Sequence, residues 1–216
     1  MKNKKNLTDK ESLTDALLCE VGCTCPDIGK MRTLLESGAD PNIPAGLDTP
    51  ALHILASRPA QELDAARLLI EFGADINKSR RDGTALSVSL CKGNIKMAEL
   101  LLEKKADPNI DGRPFNDPVL AVAAEKGYEK IVLMLLRQGG NLHALTEAGQ
   151  TAEERARTTG QTKIVEILSA WRMREERHAR AREERLIRDA DLINRGMPTH
   201  RPLQTSKRIS IRNKPF

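Results

Sequence analysis

Aromatic residues are almost missing from this 216-residue chain: one Trp, one Tyr and three Phe make up 2% of it. β-Sandwiches and small barrels fill a pleated, half-buried surface with aromatic and β-branched side chains, so the scarcity argues against those folds. It argues equally against a module that stacks single-stranded bases on aromatic platforms. Long apolar runs are missing too, and none approaches the ~18 residues of a membrane-spanning helix. Residues 1–10 are basic and polar with no apolar stretch behind them, so no secretory signal is read there. The expectation is a cytoplasmic protein with no transmembrane segment; delivery into another cell stays open.

The residue constellations of catalysis are also lacking. The 14 glycines fall at regular positions rather than in a phosphate-cradling loop. There is no His-Glu-x-x-His and no Gly-x-Ser-x-Gly. His53, His143, His178 and His200 are widely separated, and carboxylate pairs such as Glu175-Glu176 sit where a solvated helix is expected. General acid–base work needs its groups in one pocket. The chain is therefore read as a non-enzyme, with no catalytic residues and no cofactor. Its four cysteines are Cys19, Cys23, Cys25 and Cys91. Without a secretion signal they are expected to be reduced thiols. The Cys19, Cys23 and Cys25 cluster lacks a fourth ligand nearby, His53 being the nearest histidine, so no metal is assigned. Small, mostly buried side chains near the first helix pair are expected instead.

What the chain does have is charge and helix-forming residues. Asp, Glu, Lys and Arg make up 30% of it, alongside plentiful Ala and Leu, which favours an all-α fold. The net charge of +5 is unevenly placed. Residues 172–216 hold 13 Lys or Arg against 6 Asp or Glu, a net +7, which leaves −2 for residues 1–171. Such a shift marks a boundary.

A short pattern recurs through the first part. It reads Gly38-Ala39-Asp40-Pro41-Asn42, then Gly73-Ala74-Asp75-Ile76-Asn77, then Lys105-Ala106-Asp107-Pro108-Asn109. It returns in decayed form as Gly139-Gly140-Asn141-Leu142-His143. The last positions are 42, 77, 109 and 143, separated by 35, 32 and 34 residues. Each recurrence follows an apolar run, such as Leu68-Leu69-Ile70 or Leu100-Leu101-Leu102, that closes a helix. The Gly after each run suits a left-handed helix C-cap; Lys105 replaces it in the third unit and is expected to weaken that unit without breaking register. A second helix precedes each of these. Thr49-Pro50-Ala51-Leu52-His53 opens one, Asp82-Gly83-Thr84-Ala85-Leu86 the next, then Asp117-Pro118-Val119-Leu120, then Thr151-Ala152-Glu153. Asp or Thr before a short apolar helix, with Pro in its first turn, is helix-start chemistry.

Taken together, these residues resemble the ankyrin-repeat family over about residues 12–171. The resemblance rests on Leu52 and His53, on Gly83 and Thr84, and on the Gly38/Asp40/Asn42, Gly73/Asp75/Asn77 and Asp107/Asn109 sets. It implies a solenoid of about five helix–turn–helix units, at about 12–45, 46–79, 80–110, 111–145 and 146–171, with residues 1–11 a flexible N-terminus. Lone units cannot bury their apolar face, so stacking supplies the core. Ser87 and Ala121 stand where the family has its His, so looser third and fourth loops are expected. Residues 172–191 contain no Pro or Gly and no apolar stripe, and a charged helical extension projecting into solvent to about Ala190 is expected. Residues 192–216 read as a basic disordered tail.

The resemblance further implies a protein partner, as yet unidentified, held by finger loops and the concave helical face. The fingers are residues 43–48, 78–82, 110–116 and 144–149. Lys78, Arg80 and Arg81 make the second finger basic, and Arg113 and Phe115 give the third an exposed cation and an aromatic. Arg and aromatic side chains anchor interfaces, so these five are the expected partner-binding residues. An adaptor, inhibitor or effector, acting as a monomer, is the reading. The alternative is a binder of nucleic acid or an acidic membrane through the basic C-terminal segment. There, Glu175, Glu176, Glu183 and Glu184 dilute the helical charge, so the unopposed charge is placed later, at Arg195, Arg201, Lys207, Arg208, Arg212 and Lys214.

Overall fold

The computed structural model describes residues 2–23, 25–43, 49–58, 62–80, 83–110 and 117–194. The chain divides into two compact units, Met1–Ala170 and Trp171–Phe216. In chain order the helices are α1 (Lys2–Gly22), α2 (Ile28–Glu36), α3 (Ala51–Ala56), α4 (Leu63–Glu71) and α5 (Ala85–Lys92). They continue as α6 (Ile95–Glu103), α7 (Val119–Glu125), α8 (Glu129–Arg137), α9 (Ala152–Thr158) and α10 (Thr162–Asn194). Among the described residues there is no strand; Arg80 and Gly83 form an isolated antiparallel bridge. The all-α solenoid expected from the repeat is the fold observed. α1 begins at Lys2, so its first turns fall within residues 1–11, the stretch expected to be a flexible terminus.

In the first unit the helices form two layers. α1, α3, α5, α7 and α9 pack side by side in one, α2, α4, α6 and α8 in the other, and each odd helix from α1 to α7 also packs on the even helix after it. The sequence explains the division. Odd helices carry small residues at their contacts, among them Ala51 and Ala56, Ala85, Ala121, Ala123 and Ala124, and Ala152 and Ala156, all buried. Between them the odd helices bury Leu52, Leu55, Leu86 and Leu90, and the even helices Leu68 and Leu69, Leu100 to Leu102, and Leu135 with Leu136. Each such Leu contributes about 1.5–3 kcal/mol when fully buried, and none could bury itself in a lone unit. α10 adds Ile164 and Leu168 to this core.

Local chemistry sets the helix ends. The Thr84 hydroxyl accepts the Ser87 N–H at 3.3 Å to start α5, and Gly93 ends it at φ 75°. The Asn94 side chain then accepts the Met97 N–H at 3.2 Å to start α6. Thr151 and Glu154 form a reciprocal capping box on α9, and the hydrogen bonds from Thr151 hold the Glu154 carboxyl below the usual carboxylate range. Pro50 and Pro118 occupy the N-cap positions of α3 and α7, one residue ahead of the first turn expected for them. The α9 face turned outward is polar, with Arg157, Thr158 and Thr159 exposed.

Two polar links tie the first helices together. Glu20, in the last turn of α1, accepts the Asp27 N–H at 3.0 Å and pairs with Lys30 at 2.6 Å, while Asp27 itself caps α2. The Arg58 guanidinium donates to the carbonyls of Gly22 and Cys23, placing a cation at the negative end of α1. All four cysteines are free and exposed, which corrects the expectation of buried side chains. Cys19 falls on the outward side of α1, whose inward side is taken by Leu17, Leu18 and Val21, and Cys23 lies just past the end of that helix.

In the second unit, residues 171–194 of α10 continue as helix past the expected end near Ala190. Residues 173–191 are exposed, Leu186 at 69% and Ile187 at 57% included, in keeping with the missing apolar stripe. The disordered tail expected from residue 192 is helical over 192–194, and the rest of it, residues 195–216, lies outside the described residues.

Candidate docking groove

The recurring Gly-Ala-Asp-x-Asn motif has a division of labour. In each copy the Asp side chain accepts the N–H of the residue two further on: Asp40 from Asn42, Asp75 from Asn77 and Asp107 from Asn109, each at 2.8–2.9 Å. These are Asx turns, which reverse the chain after the helix. The Asn then reaches into the next unit. Asn42 accepts from the Asp75 N–H at 2.7 Å and donates to the Gly73 carbonyl at 2.9 Å. Asn77 accepts from the Asp107 N–H at 2.9 Å. Asn109 accepts from the Asn141 N–H at 2.8 Å and donates to the Gly139 carbonyl at 3.0 Å. The decayed fourth copy keeps the turn, since Asn141 takes the Asp role toward the His143 N–H at 2.9 Å. At the first copy Thr14 of α1 takes the place of a preceding Asn and accepts the Asp40 N–H at 3.1 Å.

A second cross-unit bond comes from His53, 2% exposed, whose Nε2 lies 3.0 Å from the Gly83 carbonyl at the base of the next finger. Ser87 stands where the third unit would have its His, and its hydroxyl instead donates to Thr84 of its own loop at 2.9 Å. The finger bases are thereby fixed by backbone-directed bonds, and the tips are left to the sequence.

Of the five residues expected to bind a partner, Lys78 is exposed and Arg80 half-buried on the second finger. The backbones of Arg80 and Gly83 exchange hydrogen bonds at 3.0 and 3.1 Å, closing the finger base. Arg81, Arg113 and Phe115 lie outside the described residues.

The structure brings together a different set. A cleft of about 470 Å³ opens between the odd-helix layer and the fourth finger. Its apolar lining is Cys91 of α5, Val122 of α7 and Ala148 of the fourth finger. Its polar lining is Asp117, which is buried, with Glu125, Lys126, Glu147 and Arg155. Arg155 reaches across from α9. Its Nη2 and Nε donate to Glu125 Oε2 at 2.8 and 3.1 Å, and its Nη2 lies 3.6 Å from Asp117 Oδ2. Asp117 in turn accepts the Glu147 N–H at 3.1 Å. One guanidinium thus locks a helix end to the bases of two fingers and fixes the shape of the cleft. Crowding by these neighbours pushes the Cys91 thiol up, against the pull of Lys126 and Lys92, so it stays protonated at neutral pH. Shape and a lining that mixes apolar and oppositely charged side chains suit recognition of another surface.

The signal for this cleft was in the register. Aligned on their opening Leu, α3, α5 and α7 place Ile54, Val88 and Val122 at one position and Ser57, Cys91 and Glu125 three residues later; in α9, which has Glu153 in place of that Leu, the first position is Arg155. Val122 and Arg155 from the first position and Cys91 and Glu125 from the second line the cleft.

Residues 23–112 match the family model described as ankyrin repeats in three copies. Those residues are ankyrin repeats. Beyond residue 112 the Asn109–Asn141 bond, the capping box and the continued layers carry the ankyrin pattern onward. Among similar proteins is potassium channel AKT1 of Oryza sativa subsp. indica, 46% identical over 68 residues, which are 31% of this chain and 7% of the channel. A putative ankyrin repeat protein of Rickettsia felis is 43% identical over 77 residues, 34% of each chain. Human ankyrin repeat and SOCS box protein 9 is 39% identical over 80 residues, 37% of this chain and 26% of that one. The chain thus spans about a third or less of these curated relatives. Ankyrin repeats are protein-interaction modules, and no helix among the described residues is long and apolar enough to cross a membrane.

Proposed function

We propose that this chain is a non-enzymatic docking protein that holds a segment of a protein partner along its concave face. The cleft over Cys91, Val122 and Ala148 is the centre of that face, and the fingers, with Lys78, Arg80, Arg81, Arg113 and Phe115, are its rim. The observation that carries the reading is the Arg155 clamp. It braces α7, α9 and the bases of two fingers into a preformed hollow, and a preformed hollow spares a partner the cost of ordering it. An adaptor, inhibitor or effector role fits such a surface equally. Four free thiols suit a reducing compartment such as the cytoplasm.

The test is site-specific photo-crosslinking with the full chain. A photoreactive residue at Ala148 is expected to capture the same partner as one at Val122, and one at Lys96 on α6 is expected to capture none. Capture from Lys96 but not from Ala148 would move the interface to the other layer and overturn the reading.

A further inference from the structure

Between residues 172 and 191 every basic residue except His178 is Arg: seven Arg and no Lys, whereas residues 1–171 hold 13 Lys and 9 Arg. The linear sequence sets six carboxylates among these seven and leaves almost no net charge. The helix sorts them. At about 100° per residue, Arg174, Arg177, Ala181, Arg185 and Arg188 fall on one stripe, stepping by 3, 4, 4 and 3 residues. His178 lies beside the stripe, Glu176 and Glu183 lie on the opposite side, and Glu184 and Asp189 border the stripe at its two edges, which leaves an arc of about 140° free of carboxylates. All of these residues are exposed. At ~1.5 Å per residue the stripe is about 21 Å long.

We propose that the Arg174, Arg177, Arg185 and Arg188 stripe is a docking face for the phosphates of duplex DNA. Four features of the helix choose this occupant. Arginine's planar fork matches two phosphate oxygens, whereas lysine supplies a point charge, and here arginine alone is used. The one aromatic beside the stripe, Trp171, has the Arg174 guanidinium over its ring at 5.7 Å, and residues 172–191 contain none, so there is no run of platforms on which successive unpaired bases could stack. Exposed Leu186 and Ile187 are consecutive, about 100° apart, and so form no common apolar face for a bilayer. Finally, a helix exposed all round, about 10–12 Å across, fits the ~12 Å major groove of B-form DNA. This inference is independent of the concave groove, which is in the other unit. It also moves the site of anion recognition from residues 195–216 into the helix itself.

Fluorescence anisotropy of the full chain on a mixed-sequence 20-base-pair duplex, from 50 to 200 mM salt, tests it. Two variants remove equal charge from different sides: R174Q/R185Q/R188Q from the stripe and R172Q/R180Q/R182Q from elsewhere on the helix. The stripe variant is expected to flatten the log–log salt slope by about 2.7, at ~0.9 per lost phosphate contact, and the other variant by less than about 1. A third variant, R174K/R185K/R188K, keeps charge and helix; it is expected to hold the slope and bind several-fold more weakly. Equal losses in the two charge-matched variants would overturn the proposal. So would absence of wild-type binding at 50 mM salt, tighter binding to the single strand than to the duplex, or equal binding to polyglutamate.

Discussion

The side-chain oxygen of Asn77 accepts the backbone N–H of Asp107 at 2.9 Å, thirty residues along the chain. That bond joins the exit of one helix pair to the exit of the next, and it recurs from Asn42 and from Asn109. The stacking of units is thus held at two levels, by a shared apolar core and by a row of amide side chains aimed at backbone.

Asn77→Ala tests the second level. It removes one cross-unit hydrogen bond at an exposed position, for an expected loss of about 1 kcal/mol. In a chain of this size that lowers the melting midpoint by about 2–4 °C. Lys78→Ala, its exposed neighbour, is expected to stay within about 0.5 kcal/mol of the wild type. Calorimetry on the two full-length variants makes the comparison.

Lys105 occupies the left-handed region at φ 68°, where the other copies of the motif have Gly38, Gly73 and Gly139 at φ 103°, 85° and 84°. A β-carbon there is strained, so Lys105→Gly is expected to raise stability by about 0.5–1 kcal/mol, after allowing for the entropy that glycine adds to the unfolded chain. Lys105→Ala retains the β-carbon and should bring no comparable gain. Denaturant unfolding of the pair separates backbone strain from loss of the lysine charge.

Glu20 gives a pH-dependent contribution. Its hydrogen bond from Lys30, and then that from the Asp27 N–H, hold its carboxyl below the usual carboxylate range. A carboxyl lowered in the folded state stabilises above its unfolded pKa, and the contribution is lost as pH falls through the folded value. Glu20→Gln is therefore expected to be less stable than wild type at neutral pH. The gap should close on acidification through the carboxylate range, as read by unfolding midpoints across a pH series. A constant gap would mean that the side chain acts through packing alone.

The repeat was legible because its signals are local. Asp40 and Asn42 sit two apart for an Asx turn, Gly93 ends a helix where only a positive φ will do, and Thr84 begins one. Periodicity multiplied each weak signal by the number of copies. The cleft was not legible in the same way. Cys91, Val122 and Arg155 are more than thirty residues from one another, and only stacking in register superposes them. Treating cysteines as small core residues failed for Cys19 because Leu17, Leu18 and Val21 already occupy the inward side of α1, and for Cys23 because it lies in the exposed turn after that helix. For the charged helix, counting acids against bases averages around the axis, whereas a face is an angular quantity that the count does not carry.

The amide row has one more implication. Three units carry the clamp at their exits, through Asn42, Asn77 and Asn109, and it grips backbone, which every unit possesses whatever its side chains. At this joint those units are interchangeable. Duplicating or deleting one of them leaves each asparagine facing an N–H of the same kind, so only the apolar contacts have to be matched anew. Fingers can lengthen, as the third has, and their tips can be rewritten, while the joint between neighbours stays the same. The array can change its length and its target along separate routes.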